Sequence, residues 1–338
     1  MNARFTAILL VLLVVLGGGA LLYYQQERSR RPENVGTLGR TLIQELRVAD
    51  IASIRIVEPK SALTLQRRDE GWTIAERGGF PADLARVREF VLKLAALKVG
   101  QSEPIGEKDR ARLNLDASGT LVELAAADGK PLARLTVGKK YYKREVENPD
   151  KAPADGRFVG LPGEPGQAYL VSDALAQAST RSADWIDRSS FQVEKVKTLE
   201  VRYPGGGGWR IERNADNAEW KLEGARPGEK LDVGRANAAS YSLSLLELAD
   251  VAPKDAKHTG LESPTLVNAT TLAGRAYAIK VGRLEGENYY LSLQSSGADE
   301  RPREKLQSQH VLLVPRSKLE DTLKKRADLL EKKEDTKK

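Results

Sequence analysis

His258 and His310 are the two histidines of the chain. A histidine that binds a metal or moves a proton needs partners that converge on it, and the sequence offers no such spacing around either one. Both are expected at the surface or at a strand end, with His310 opening a strand and partly buried. Asp184 and Asp187 flank Trp185 in "ADWIDRSS". Paired carboxylates are the tools of a glycosidase, yet at a spacing of three they equally cap a helix end or stay solvated. No second cluster joins them, so capping is the expected role.

Gly205 to Gly208 have the backbone freedom to cradle a phosphate. No Gly-Lys followed by Ser or Thr completes a P-loop, and no G-x-G-x-x-G opens a helix there, so a flexible hairpin turn is expected. "NAT" at Asn268 to Thr270 is a formal glycosylation sequon without weight in a strand. Cysteine is absent, which excludes disulfides, thiolate nucleophiles and Cys-type zinc sites. The sequence thus assembles no catalytic, cofactor-binding or metal-binding set, and the chain is read as non-enzymatic and without a cofactor.

Aromatic residues recur. Tyr141 and Tyr142 are followed 148 residues later by Tyr289 and Tyr290, and Trp72 by Trp220 at the same distance. Such pairs can stack on a sugar or clamp a peptide. Consecutive strand residues face opposite sides of a sheet, however, so each tyrosine pair is expected to give one core residue and one cross-strand contact. The tryptophans are expected as core anchors.

These recurrences are part of a longer one. "TLVELAAADGKPLARLTVG" from Thr120 answers "TLVNATTLAGRAYAIKVG" from Thr265, and Ile51, Ile54 and Ile56 answer Val196, Leu199 and Val201 at a distance of 145. Leu84, Val87, Val91 and Leu94 mark one face of a helix started by Pro81. A shift of 152 gives Ala236, Ala239, Leu243 and Leu246. Glycines at Gly129 and Gly274 sit between alternating apolar residues, the signature of hairpins. "VENPDKAPADGR" and "SSGADERPRE" read as exposed loops at matching places.

The expected architecture is therefore α+β: a tandem duplication of a mainly antiparallel sheet module with packed helices. The expected limits are residues 42–183 and 184–325, followed by a charged tail over 326–338. A chain of 338 residues accommodates two such modules.

Residues 1–31 form a separate part. "FTAILLVLLVVLGGGALLYY", Phe5 to Tyr24, is twenty uncharged residues, and about twenty apolar residues span a bilayer as one helix. Small residues at Gly18, Gly19 and Ala20 suit a signal peptidase. The apolar run continues through Leu21 and Leu22, which favours an uncleaved anchor. Arg28, Arg30 and Arg31 follow the segment and Arg4 precedes it, a bias that alone would hold the rest of the chain in the cytoplasm.

The net charge is +7, with four arginines against Glu27 in the first 31 residues and nine basic against six acidic groups from Arg316 onward. A nucleic-acid binder gathers its basic residues on a folded face. Here the surplus lies at the ends, and nucleic acid is not an expected partner.

Several stretches together resemble a bacterial family catalogued as domain of unknown function 4340. They are "VADIASIRIV" from Val48, "GWTI" from Gly71, "PADLARVREFVLKLAALKV" from Pro81, "LNL" from Leu113, "LARLTVG" from Leu132, and "AYLVSDAL" from Ala168 with "DWIDRSSFQVEKVKTLEV" from Asp184. The resemblance implies a single-pass protein of the cytoplasmic membrane with its repeated domain on the periplasmic or outer side. It also implies a place beside an ABC-type exporter and a gliding-motility-like transport protein. It supplies no catalytic residues. The expected function is an accessory or scaffold of an export or surface-assembly complex. The alternative is an envelope module that holds a glycan, lipid or peptide between its two repeats.

Overall fold

The computed structural model describes residues 38–69, 71–149, 151–189, 191–297, 299 and 301–331. The expected membrane segment Phe5 to Tyr24 lies outside them. Among the described residues no helix is long and apolar enough to cross a membrane.

The first half of the chain forms β1 (Ser53–Glu58), β2 (Ser61–Arg68), β3 (Gly71–Ile74), β4 (Phe80–Pro81), α1 (Leu84–Ala95), β5 (Val99–Pro104), α2 (Glu107–Arg112), β6 (Thr120–Ala125), β7 (Pro131–Tyr141), β8 (Gly156–Gly160) and β9 (Gln167–Val171). The second half forms β10 (Val196–Arg202), β11 (Gly208–Glu212), β12 (Lys221–Leu222), α3 (Val233–Tyr241), β13 (Asp250–Val251), β14 (Thr265–Thr271), β15 (Ala276–Glu285), β16 (Asn288–Ser296), α4 (Pro302–Ser308), β17 (Leu312–Pro315) and α5 (Arg316–Leu319). These are two antiparallel sheets with few helices, an α+β arrangement.

The first sheet has the order β4-β3-β2-β1-β6-β7-β8-β9-β5, and the second β12-β11-β10-β14-β15-β16-β17-β13. From β3 onward the two orders correspond strand for strand. By contacts the chain divides into two compact units. Of the described residues, one holds those up to Ile51, Val57–Lys60 and Phe90–Ala178, and the other holds Ala52–Ile56, Ser61–Glu89 and those from Ser179.

Alternation decides which strand face is buried. Ile54 and Ile56 in β1, and Leu199 and Val201 in β10, are fully buried, as period-two apolar spacing requires. In β3 and β12 the register also agrees: Ile74 faces Leu65 and Leu222 faces Ile211, which puts Trp72 and Trp220 at the same place. Their surroundings differ. Trp220 is buried under the Arg213 guanidinium, 4.5 Å from the ring centre, and its Nε1 donates to Asn237 Oδ1 at 2.9 Å. Trp72 is half-buried, so only one of the two is the expected core anchor.

Both helices after the third strand start at an aspartate. Asp83 Oδ1 accepts from the amides of Ala85 at 2.9 Å and Arg86 at 3.2 Å, and Asp232 Oδ1 accepts from the amide of Arg235 at 3.1 Å. These caps satisfy first-turn N–H groups. Pro81 lies in β4 and does not start the helix.

The caps set the true correspondence at 149 residues rather than 152. Val87, Phe90 and Leu94 then match Ala236, Ala239 and Leu243, all buried. Leu84, expected on the buried stripe, is 60% exposed and matches Val233, also exposed.

Each repeat closes with a short return segment. Asp83 N donates to Trp185 O at 2.7 Å, and Asp187 N to Pro81 O at 3.0 Å; Asp232 N donates to Leu329 O at 2.9 Å, and Glu331 N to Lys230 O at 2.9 Å. Isolated bridges join Ala82 to Ile186 and Leu231 to Leu330. The stretch expected as a tail from 326 is therefore folded as far as Glu331, with Leu329 fully buried, because the second copy needs its closing segment as the first does.

The two loops expected at matching places are not equivalent. Residues 146–157 join β7 to β8, whereas residues 295–304 leave β16 and run into α4. Nor do the tyrosine pairs correspond. Tyr141 ends β7, opposite Gly156, while Tyr289 and Tyr290 lie in β16, opposite the end of β15. A tight turn joins β15 to β16 where a long loop joins β7 to β8, so equal spacing in sequence reaches different strands.

Candidate functional site

The outer face of the second sheet carries two rungs of matched composition. Glu200, Asn268, Ala278 and Gln294 stand side by side across β10, β14, β15 and β16, and Thr198, Thr270, Ala276 and Ser296 form the next rung. Two alanines thus make a low floor with hydroxyl and amide side chains beside it. Arg301, just before α4, and Lys305 and Ser308 on α4 border the floor, and the open cavity measures 710 Å³.

One wall is built on a buried ion pair. Arg275 follows the β14–β15 turn, and its Nη1 lies 3.0 Å from Glu304 Oε2, with side chains 8% and 4% exposed. Tyr277 Oη donates to Glu304 Oε1 at 3.0 Å, and Arg301 Nη1 reaches the same oxygen at 3.2 Å. Arg275 Nη2 donates to the Asp299 carbonyl, and Thr271 Oγ1 accepts from the Arg275 amide at 3.1 Å.

One carboxylate therefore serves two guanidinium groups and a phenol, and Asp299 and Lys305 line the same end of the cavity, so its basic side chains outnumber its acidic ones by one. Burial and the bond to Glu304 push the Tyr277 phenol up to about 12. The sequence reading missed Arg275, Glu304 and α4. The available signal was Pro302 ahead of Arg303 and Glu304, a proline in the first helical turn.

The residues singled out for chemistry are spread through the fold. Asp184 receives two bonds from Arg181, at 2.9 and 3.0 Å. Asp187 Oδ1 closes a turn by accepting from the Ser189 amide at 2.9 Å, and its Oδ2 lies 3.5 Å from Arg303. His258 is exposed in a loop with φ of 55°.

His310 is half-buried just before β17. Its Nδ1 faces Leu306 O at 3.0 Å and its Nε2 faces Gly78 O at 3.4 Å, with the ring edge-on to Phe80. Asp250 accepts from Ser182 Oγ at 2.6 Å and lies 3.4 Å from Arg77. The histidine's partners are carbonyl oxygens, so it does not complete a Ser–His–Asp relay. Gly205 to Gly207 lie in the β10–β11 hairpin turn, as expected, and Gly208 opens β11 opposite Arg202. Asn268 Nδ2 donates to Glu200 Oε2 at 3.3 Å within the sheet.

Among the described residues no group of three or more His, Asp or Glu side chains is placed to hold a metal ion. No curated protein and no solved structure matches the chain. The model of one protein family does match, over residues 72–264. That stretch takes in the Asp83 cap, the "LNL" and "LARLTVG" segments and the Trp185 closing segment, more than half of the chain, which belongs to the family described as a domain of unknown function, DUF4340.

Proposed function

We propose that the chain is a non-enzymatic protein of the bacterial envelope, held in the cytoplasmic membrane by Phe5 to Tyr24 with its repeats on the periplasmic or outer side. It acts by contact, as an accessory or scaffold of an ABC-type export or surface-assembly complex. The observation that supports this reading is a repeated exposure of apolar side chains. Leu84 and Leu92 on α1, and their counterparts Val233 and Tyr241 on α3, are 60%, 48%, 44% and 63% exposed. Large apolar residues open to water at the same helical positions in both copies suit protein contact, and a membrane tether raises the local concentration of a membrane partner.

The test places a photo-crosslinking residue at Leu92 or Tyr241 in native membranes and identifies the captured proteins by mass spectrometry. Capture of exporter subunits is expected, and their absence from both positions would overturn the reading. In a complementation assay, alanine at His258, His310, Asp184 and Asp187 should leave function intact. Replacing Phe5 to Tyr24 by a cleavable export signal should abolish it.

A second reading, a ligand-binding module, is favoured by the cavity over Ala276 and Ala278. It places the ligand on the second sheet alone.

A further inference from the structure

The internal repeat provides a comparison for the cavity on the second sheet. In the first sheet the position of Ala278 is taken by Arg134, one residue before a buried leucine that faces Val122, just as Ala278 precedes Ile279, which faces Val267. Arg134 Nε lies 3.1 Å from Glu123 Oε1, its cross-strand neighbour, and Asn268 stands where Glu123 does. The first copy thus covers this rung with a salt bridge. The second copy has an amide and a methyl group there.

The second copy also carries what the first lacks at this point. Its eighth-strand counterpart, β16, is nine residues long where β8 is five, and α4 follows it. The added length brings Gln294 and Ser296 beside the alanines, and α4 and the residue before it add Lys305 and Arg301 at the border. Loss of this ion pair and addition of a polar and basic wall occur together in one repeat.

We propose that this groove binds an extended acidic peptide segment. Asn268 and Gln294 flank Ala278 on neighbouring strands, so they lie about 10 Å apart across the floor. A carboxamide offers both a donor and an acceptor, the pair of functions a peptide group requires. The low alanine floor admits a main chain. Arg301 and Lys305 border one end and would meet a carboxylate side chain there, while the Glu200 carboxylate at the β10 end is held by Arg202 and Asn268. A saccharide fits less well, because sugar faces pack on open aromatic rings and Tyr277, the aromatic of this lining, is 2% exposed.

The proposal rests on the ligand-binding reading above, and its test separates the two. The purified full-length chain is titrated, by fluorescence anisotropy, with an amidated peptide of alternating glutamate and glycine. The comparison ligands are the glutamine analogue and a trisaccharide of uronic acid.

The acidic peptide should bind about tenfold more tightly than its glutamine analogue, the preference expected of charge complementarity at a partly exposed site. Ala278→Arg should abolish binding by restoring the first copy's side chain, with its folding checked by thermal melting. The double substitution Arg301→Ala, Lys305→Ala should weaken binding about tenfold, and it decides the matter if Ala278→Arg fails to fold. Equal affinity for the neutral peptide, or binding that both variants leave unchanged, would overturn the proposal. Preference for the uronate would overturn the peptide assignment and keep the ligand-binding reading, and no binding of any of the three would sink both.

Discussion

Gly138 and Gly282 occupy the same place in the two sheets, and each has a carbonyl oxygen pressed against its α-carbon. A Cβ at Gly138 would lie 2.4 Å from Leu113 O, and one at Gly282 would lie 2.2 Å from Thr259 O. In both strands the next residue donates to that same oxygen, Lys139 at 2.8 Å and Arg283 at 2.9 Å, and the sheet register shifts there. The backbone of an incoming loop fills the space where any other residue would carry a side chain. The same device thus recurs in two sheets that share their strand order from β3 onward.

Alanine at either glycine should destabilise the fold, because the obstructing atom is backbone and cannot rotate away. About 1–3 kcal/mol is expected from such overpacking. Urea denaturation of Gly138→Ala and Gly282→Ala measures it, with Gly163→Ala as a control that meets nothing within 4 Å. Equal stability of all three would refute the packing argument.

Glu304→Ala leaves Arg275 buried without its carboxylate and should cost about 3–5 kcal/mol. Replacing both partners, Arg275→Met with Glu304→Leu, should lose much less, since no uncompensated charge remains. A double-mutant cycle by chemical denaturation reads the difference, and purely additive losses would show that the pair is not coupled.

Tyr277 gives a pH dependence of defined sign. Its folded pKa is raised to about 12 from the usual 10.0, by burial first and by the Glu304 bond second. The unfolded chain therefore loses this proton first as pH rises. The contribution to stability is complete below pH 10 and declines between pH 10 and about 12. Tyr277→Phe should flatten that decline when denaturation is followed at increasing alkaline pH, and an unaltered slope would count against it.

The capping aspartates should behave alike. Asp83→Ala and Asp232→Ala each remove a side-chain acceptor from a first helical turn and should cost about 1 kcal/mol. Asparagine at either position should restore most of the loss, which thermal melting would detect.

Aspartate at Leu92 or Tyr241 should change stability by about 0.5 kcal/mol or less, because both side chains are already in water. Capture of the membrane partner should fall sharply in the same variants. Full capture with normal folding would remove these helix faces from the proposed function.

The repeat was legible in sequence because burial acts through local periods. A strand residue that faces the core must be apolar at every second position, so Ile54 and Ile56 announced Leu199 and Val201. Glycine at a carbonyl contact is equally unforgiving, and Gly138 announced Gly282. The helices correspond three residues away from where their apolar spacing alone puts them. Leu84 fits the apolar period as well as Phe90 does, and only the Asp83 cap shows where the first turn begins.

The two mainly antiparallel modules thus followed from the sequence itself: alternating apolar residues, turn glycines and a repeated spacing act between near neighbours in the chain. The groove did not. Ala278, Asn268, Gln294 and Arg301 are each unremarkable where they stand, and they come together through cross-strand pairing and the placement of α4 against β16. Arg275 and Glu304 are separated by twenty-nine residues, and their pairing depends on burial that only the packed chain creates. Tertiary structure decided the site because its parts are joined by long-range contacts, which leave no period in the sequence.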